Sequence, residues 1–177
     1  VLCAVRCMAA EAGIEASLPD QFGNTGSLAA HRGAVVVAIV VDVRRLSSIQ
    51  RWGEALGGRY PQLRFLNIAQ LPAGGPVDMA RVSATLQKRV PANVPVLIDV
   101  ERRWASAYGL DTTAPNLLVF DQAGTLVTRL RGRFSAEQEA LSDTLASYWA
   151  RFARTGDPNG AGAIAWHRIG RHRAMEP

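Results

Sequence analysis

The sequence predicts an α/β domain, with a central mixed sheet flanked by helices and an N-terminal β-hairpin ahead of it. Three observations point there. Ala34–Val41 is an unbroken, largely β-branched apolar run, as expected of a central strand covered on both faces. Ile49, Trp52, Leu56 and Tyr60 then recur at helical steps, which marks an amphipathic helix. Near the other end, Asn116–Asp121 and Thr125–Leu130 are joined by a short turn containing Gly124, the pattern of an antiparallel hairpin.

The remaining elements follow in order. Between Leu18 and Leu28, turn formers beginning at Pro19 separate two short extended pieces, which predicts the first hairpin. The serine pair Ser47 and Ser48 offers an N-cap to the first helix, and Gly57, Gly58 and Pro61 end it. Leu63–Ala69 is apolar enough for a second strand, completing a βαβ unit. Asp78 caps a helix with Met79, Val82, Leu86 and Val90 on its inner face. Val94–Val100 is the next strand, and Glu101–Tyr108 a short helix closed by a left-handed Gly109. After the hairpin, Ser135 and Gln138 form a capping box for a last helix with Leu141, Leu145, Tyr148, Trp149 and Phe152 inward and Gly156 at its end. The expected division is residues 1–16 as a signal-peptide remnant or disordered segment, 17–156 as the domain, and 157–177 as a C-terminal tail.

Composition narrows the function. At 177 residues and 48% hydrophobic content the chain can bury one ordinary core. No stretch reaches the roughly 18 consecutive apolar residues of a membrane span. The formal charge is +5, and Lys88 is the only lysine, so the positive charge is nearly all arginine. Those arginines are spread along the chain with no dense block, which argues against a nucleic-acid partner. The opening from Val1 to Ala10 reads as the end of an export signal, a short apolar stretch interrupted by Arg6. A periplasmic or secreted location is therefore expected, with a cytoplasmic one as the alternative.

The segment Tyr108-Gly-Leu-Asp-Thr-Thr-Ala-Pro-Asn-Leu-Leu-Val-Phe-Asp-Gln-Ala-Gly-Thr-Leu126, followed by Arg131-Gly132, resembles the stretch around the cis-proline of thioredoxin-like redoxins of the TlpA and AhpC/TSA groups. The order of elements is similar too. The resemblance implies a thioredoxin-like fold with Ala114-Pro115 as the cis-proline turn lining the family's redox site. It places that site's cysteines just past the first central strand, where this chain reads Asp42-Val-Arg-Arg-Leu-Ser-Ser48. A thiolate is the nucleophile of disulfide exchange and peroxide reduction, and serine cannot replace it. The resemblance thus carries the fold and not the activity. Among cysteine-free relatives, Asp99 to Leu110 is similar to the YtfJ-like periplasmic proteins. A second likeness covers Leu141 to Gly160 with Trp166, similar to the C-terminal helix of type-B carboxylesterases, although the chain has no Gly-x-Ser-x-Gly.

The candidate binding residues are Asp42, Arg44 and Arg45, where strand leads into helix, and Ala114 and Pro115 beside them. The loop charges fit a ligand site at the carboxyl edge of an α/β sheet, and equally an ordinary solvated loop. Arg129, Arg131 and Arg133 alternate along the last strand and either meet an acidic partner or guard an edge. Trp52, Trp104 and Trp149 are expected in the core. Cys3 and Cys7 lack Cys-x-x-Cys spacing, and His31, His167 and His172 are scattered, so no catalytic residue, metal or cofactor is predicted. The leading reading is a redox-inactive domain that binds a protein or peptide partner in the cell envelope. The alternatives are a redoxin-type thiol oxidoreductase or peroxidase, and a truncated or fused carboxylesterase-derived product without activity.

Overall fold

A computed structural model of the chain describes residues 11–58 and 60–132. Its strands are β1 (Glu11–Ala12), β2 (Leu18–Pro19), β3 (Thr25–Gly26), β4 (Val36–Asp42), β5 (Arg64–Gln70), β6 (Val96–Asp99), β7 (Asn116–Phe120) and β8 (Thr125–Arg131). The helices are α1 (Ser47–Gly57), α2 (Met79–Arg89) and α3 (Arg103–Tyr108). Cys3, Cys7, Arg133, Trp149, the helix expected after Ser135 and the carboxylesterase-like segment lie outside the described residues.

Six strands form the main sheet in the order β1-β8-β7-β4-β5-β6, and β2 pairs with β3 as the expected N-terminal hairpin. Strands β4, β5 and β6 run parallel; on the other side of β4, β7 pairs with it antiparallel and β8 pairs antiparallel with β7. This is the thioredoxin-like α/β arrangement with a mixed sheet.

All seven residues of β4 are buried, because alternate side chains enter two different cores. Val37, Ile39 and Val41 pack with Ile49, Trp52 and Leu56 of α1 and Leu86 at the end of α2. Val36, Ala38 and Val40 pack on the other face with Trp104, Ala105 and Tyr108 of α3 and with Leu18 and Leu28 around the hairpin. There Trp104, Tyr108 and Phe120 form an aromatic trio with ring centroids 5.6 to 6.0 Å apart. Trp52 and Trp104 are core residues, as expected.

Gln21 locks the hairpin onto the sheet. Its side-chain oxygen accepts from the Val96 amide at 2.8 Å and its nitrogen donates to the Val94 carbonyl at 2.8 Å. Asp20 closes the hairpin turn by accepting from the Phe22 and Asn24 amides.

Three local expectations are corrected. Ser47 is the first residue of α1 and no side chain caps that helix. The chain enters it through a 3-10 turn at Val43–Arg45, leaving Leu46 with helical φ and ψ, whereas a capping side chain needs an extended backbone there. The short helix begins at Arg103 instead of Glu101, because the Asp99 carboxylate captures the Arg103 and Trp104 amides. Finally, Ala114-Pro115 is not cis: the described residues contain no cis peptide bond. The turn is closed instead by the Asn116 side-chain nitrogen, which donates to the carbonyls of Asp111 at 2.9 Å and Ala114 at 3.0 Å.

Candidate functional site

The parallel strands β4, β5 and β6 all end on polar residues, Asp42, Gln70 and Asp99, and the pairing register sets them side by side. Alternation along each strand puts this row on the same side of the sheet as α3, since Val40, Ile68 and Leu97, two residues before each, belong to the α3 core. Gln70 and Asp99 are fully buried, and the Gln70 amide nitrogen donates to Asp99 Oδ2 at 3.4 Å. Among the described residues, Gln70 Oε1 has no hydrogen-bond partner.

Asp99 organises the far side of the site. Its Oδ1 accepts from the Arg103 amide and its Oδ2 from the Trp104 amide, both at 2.9 Å, satisfying donors that a helix start leaves unpaired. The residue just before, Arg102, sits in the left-handed region at φ 56°, which is sparsely populated for a residue carrying a Cβ. Its guanidinium reaches Thr112 Oγ1 at 3.4 Å.

On the near side, Arg44 folds back over Asp42. The Asp42 carboxylate accepts from Arg44 Nε at 2.8 Å, from Nη2 at 3.0 Å and from the Arg44 amide at 2.9 Å, a charge-assisted fork. The Arg44 side-chain hydrogen bond is the main reason the Asp42 carboxyl is held below its ordinary pKa, against an opposing effect of burial.

Between these two sides lies an open cleft of about 600 Å³ lined by Asp42, Arg44, Arg45, Pro72, Ala73, Arg102, Thr112 and Thr113. Of the candidate residues, Asp42, Arg44 and Arg45 line this cleft, together with Arg102, Thr112 and Thr113, which the sequence did not single out. Ala114 and Pro115 do not line the cleft. Pro115 is buried, and its carbonyl accepts from the Gly132 amide at 2.9 Å, so it braces the turn carrying the two threonines.

Three arginines and one aspartate are among the residues lining this cleft. Among the described residues, neither Arg45 nor Arg102 has a carboxylate within ion-pair distance. Arg129 and Arg131 behave differently. Arg129 donates to the Tyr108 carbonyl at 2.7 Å, and Arg131 pairs with Asp111 and donates to Thr113 Oγ1. They tie the last strand to α3 and the α3–β7 connection. The Thr113 hydroxyl and amide, more than Arg131, hold the Asp111 carboxyl below its ordinary pKa.

The described residues contain no cysteine. They also bring no three His, Cys, Asp or Glu side chains close enough for a metal ion, and no helix among them is long and apolar enough to cross a membrane.

No protein-family model and no curated protein matches the chain. Solved structures do. It is similar to an exposed lipoprotein thioredoxin of Streptococcus pneumoniae, at 20% identity over 72% of this chain and 95% of that one, with a TM-score of 0.58. It is similar to a secreted Mycobacterium tuberculosis disulfide oxidoreductase homologous to DsbE of E. coli, at 17% identity over 75% and 95% of the two chains, with a TM-score of 0.53. A thiol peroxidase of Chromobacterium violaceum matches at 14% identity over 79% and 84%, with a TM-score of 0.53. At these identities the likeness shows the fold: the chain has a thioredoxin-like fold.

Proposed function

We propose that this chain is a redox-inactive thioredoxin-like domain that binds a protein or peptide partner at the carboxyl edge of its parallel strands, in the cell envelope. The observation that carries the reading is the strand-to-helix corner. At the end of β4, where the resemblance expects a cysteine at a helix N-terminus, the chain places a carboxylate–guanidinium fork beside an open cleft. Thiol chemistry needs a thiolate in that position, and the fork is suited to holding a partner instead. Binding in a crevice outside the carboxyl ends of the strands follows the general habit of open α/β sheets. The envelope location rests on the signal-like opening of the sequence and on relatives in fold described as an exposed lipoprotein and a secreted enzyme. A peptide array probed with the full chain tests the reading: hits should disappear with Arg44→Ala. An array whose hits are indifferent to Arg44→Ala overturns it.

A second reading draws on the thiol-dependent activities in the names of those structures. On that reading Cys3, Cys7 or a partner's cysteine would supply the sulfur. Insulin-reduction and peroxide-consumption assays separate the two, because only the second reading expects turnover that is lost in the Cys3→Ser, Cys7→Ser double variant.

A further inference from the structure

We infer that the cleft selects an acidic partner: a peptide segment whose neighbouring carboxylates are held by Arg45 and Arg102 beside the Asp42–Arg44 fork. This deepens the peptide-binding reading and rests on it. The first ground is charge. Arg44 is paired with Asp42, Arg45 has only the longer-range attraction of that same carboxylate, and Arg102, which also lines the cleft, has no ion pair among the described residues. Like charges gathered in one concavity repel, and an arriving anion relieves that repulsion while offering guanidinium forks a carboxylate they match.

The second ground is the backbone at Arg102. A left-handed conformation at an arginine is costly, and glycine would adopt it freely. Here the strain is imposed by Asp99, which fixes the next two amides, and it accompanies a guanidinium brought to the cleft wall beside Thr112. The third ground is size. A cleft of about 600 Å³ falls in the range of sites that hold ligands of many atoms, so a single small anion would leave most of it to solvent. Its position across the carboxyl ends of the parallel strands leaves room for a peptide carrying acidic side chains.

The test is fluorescence anisotropy of the full chain with a fluorescein-labelled tetraglutamate peptide, the corresponding tetraglutamine peptide, and inorganic phosphate as competitor. The expected result is binding of the glutamate peptide alone at low salt, weakening as salt is raised. Arg45→Gln and Arg102→Gly should each weaken it about tenfold or more, the scale of one charge-assisted hydrogen bond. Arg89→Gln, an exposed position at the end of α2 outside the cleft, makes the same change in net charge and should leave affinity unaltered. Arg102→Gly also relieves backbone strain, so its loss of binding should come with an undiminished melting temperature.

Equal weakening by Arg89→Gln overturns the inference in favour of the overall positive field. Displacement by phosphate at concentrations matching the peptide's own affinity overturns it in favour of a simple anion site. Tight binding of the glutamine peptide, unaffected by the arginine variants, overturns the acidic selectivity while sustaining the peptide reading. If neither labelled peptide binds, the acidic assignment falls, and array hits lost with Arg44→Ala would still uphold the parent reading.

Discussion

Replacing Asp99 by alanine removes the group on which one wall of the cleft depends. The carboxylate is fully buried and accepts from the Arg103 and Trp104 amides at 2.9 Å each and from Gln70 at 3.4 Å. Loss of an N-terminal cap costs about 1 kcal/mol. A buried donor left unsatisfied costs about 1–3 kcal/mol, and the Trp104 amide and the Gln70 side chain are both buried. Water reaching the new space offsets part of this, so Asp99→Ala should destabilise the fold by about 3 kcal/mol. Asp99→Asn keeps the shape and one acceptor oxygen and should cost about 1–1.5 kcal/mol. Equilibrium urea unfolding measures both, with the slope of each transition checked against the unchanged chain. An Asp99→Ala loss below about 1 kcal/mol, or equal losses for the two variants, would refute the assignment of this carboxylate as a three-donor anchor.

Other outcomes follow from the same geometry. Asp42 has a depressed pKa in the folded chain, so its ionised form stabilises the fold above the ordinary carboxylate value of about 4, and that contribution is lost as pH falls through the lower folded value. The urea midpoint should therefore drop more steeply below pH about 4 in the unchanged chain than in Asp42→Asn, and parallel profiles would contradict the fork. The two left-handed residues bracketing α3 should respond in opposite senses. Arg102→Gly is expected to raise stability by up to about 1 kcal/mol and Gly109→Ala, at φ 56°, to lower it by about 1 kcal/mol, read by thermal unfolding. Trp104→Ala, which empties the centre of the aromatic trio, should cost about 3–5 kcal/mol, and a loss under 1 kcal/mol would place that ring outside the core.

Much of the fold is legible in the residues because its central elements are written by burial. The unbroken Val36–Val41 run and the Ile49, Trp52, Leu56 spacing need only a two-sided sheet and one helix face to be read. Asp78 follows a local rule and caps α2 as expected, its side chain accepting from the Arg81 amide at 3.0 Å. The start of α3 was not legible, because Asp99 acts four and five residues ahead from the end of a strand, and no local pattern distinguishes that from an ordinary buried aspartate. Arg102 left no signal at all: its left-handed backbone is imposed by the Asp99 hydrogen bonds, whereas a glycine there would have announced the turn. Gln21 was invisible for a similar reason, since its partners Val94 and Val96 lie more than seventy residues away. The loop Asp42–Arg45 stands out as a candidate because it joins strand to helix at the carboxyl end of the sheet, where open α/β folds commonly bind ligands. The trans bond at Ala114-Pro115 shows where likeness misled: the side chain of Asn116 shapes that turn, and a motif match does not reveal which of the two devices a chain uses.

The most direct measurement is insulin reduction driven by dithiothreitol, followed by turbidity, with the purified full chain at a concentration where an active thioredoxin would clearly accelerate precipitation. With a carboxylate–guanidinium fork at the end of β4, next to the corner where the resemblance expects a cysteine, the redox-inactive reading predicts a time course that coincides with dithiothreitol alone. A faster course that disappears in the Cys3→Ser, Cys7→Ser variant would contradict the redox-inactive reading and return the chain to thiol chemistry.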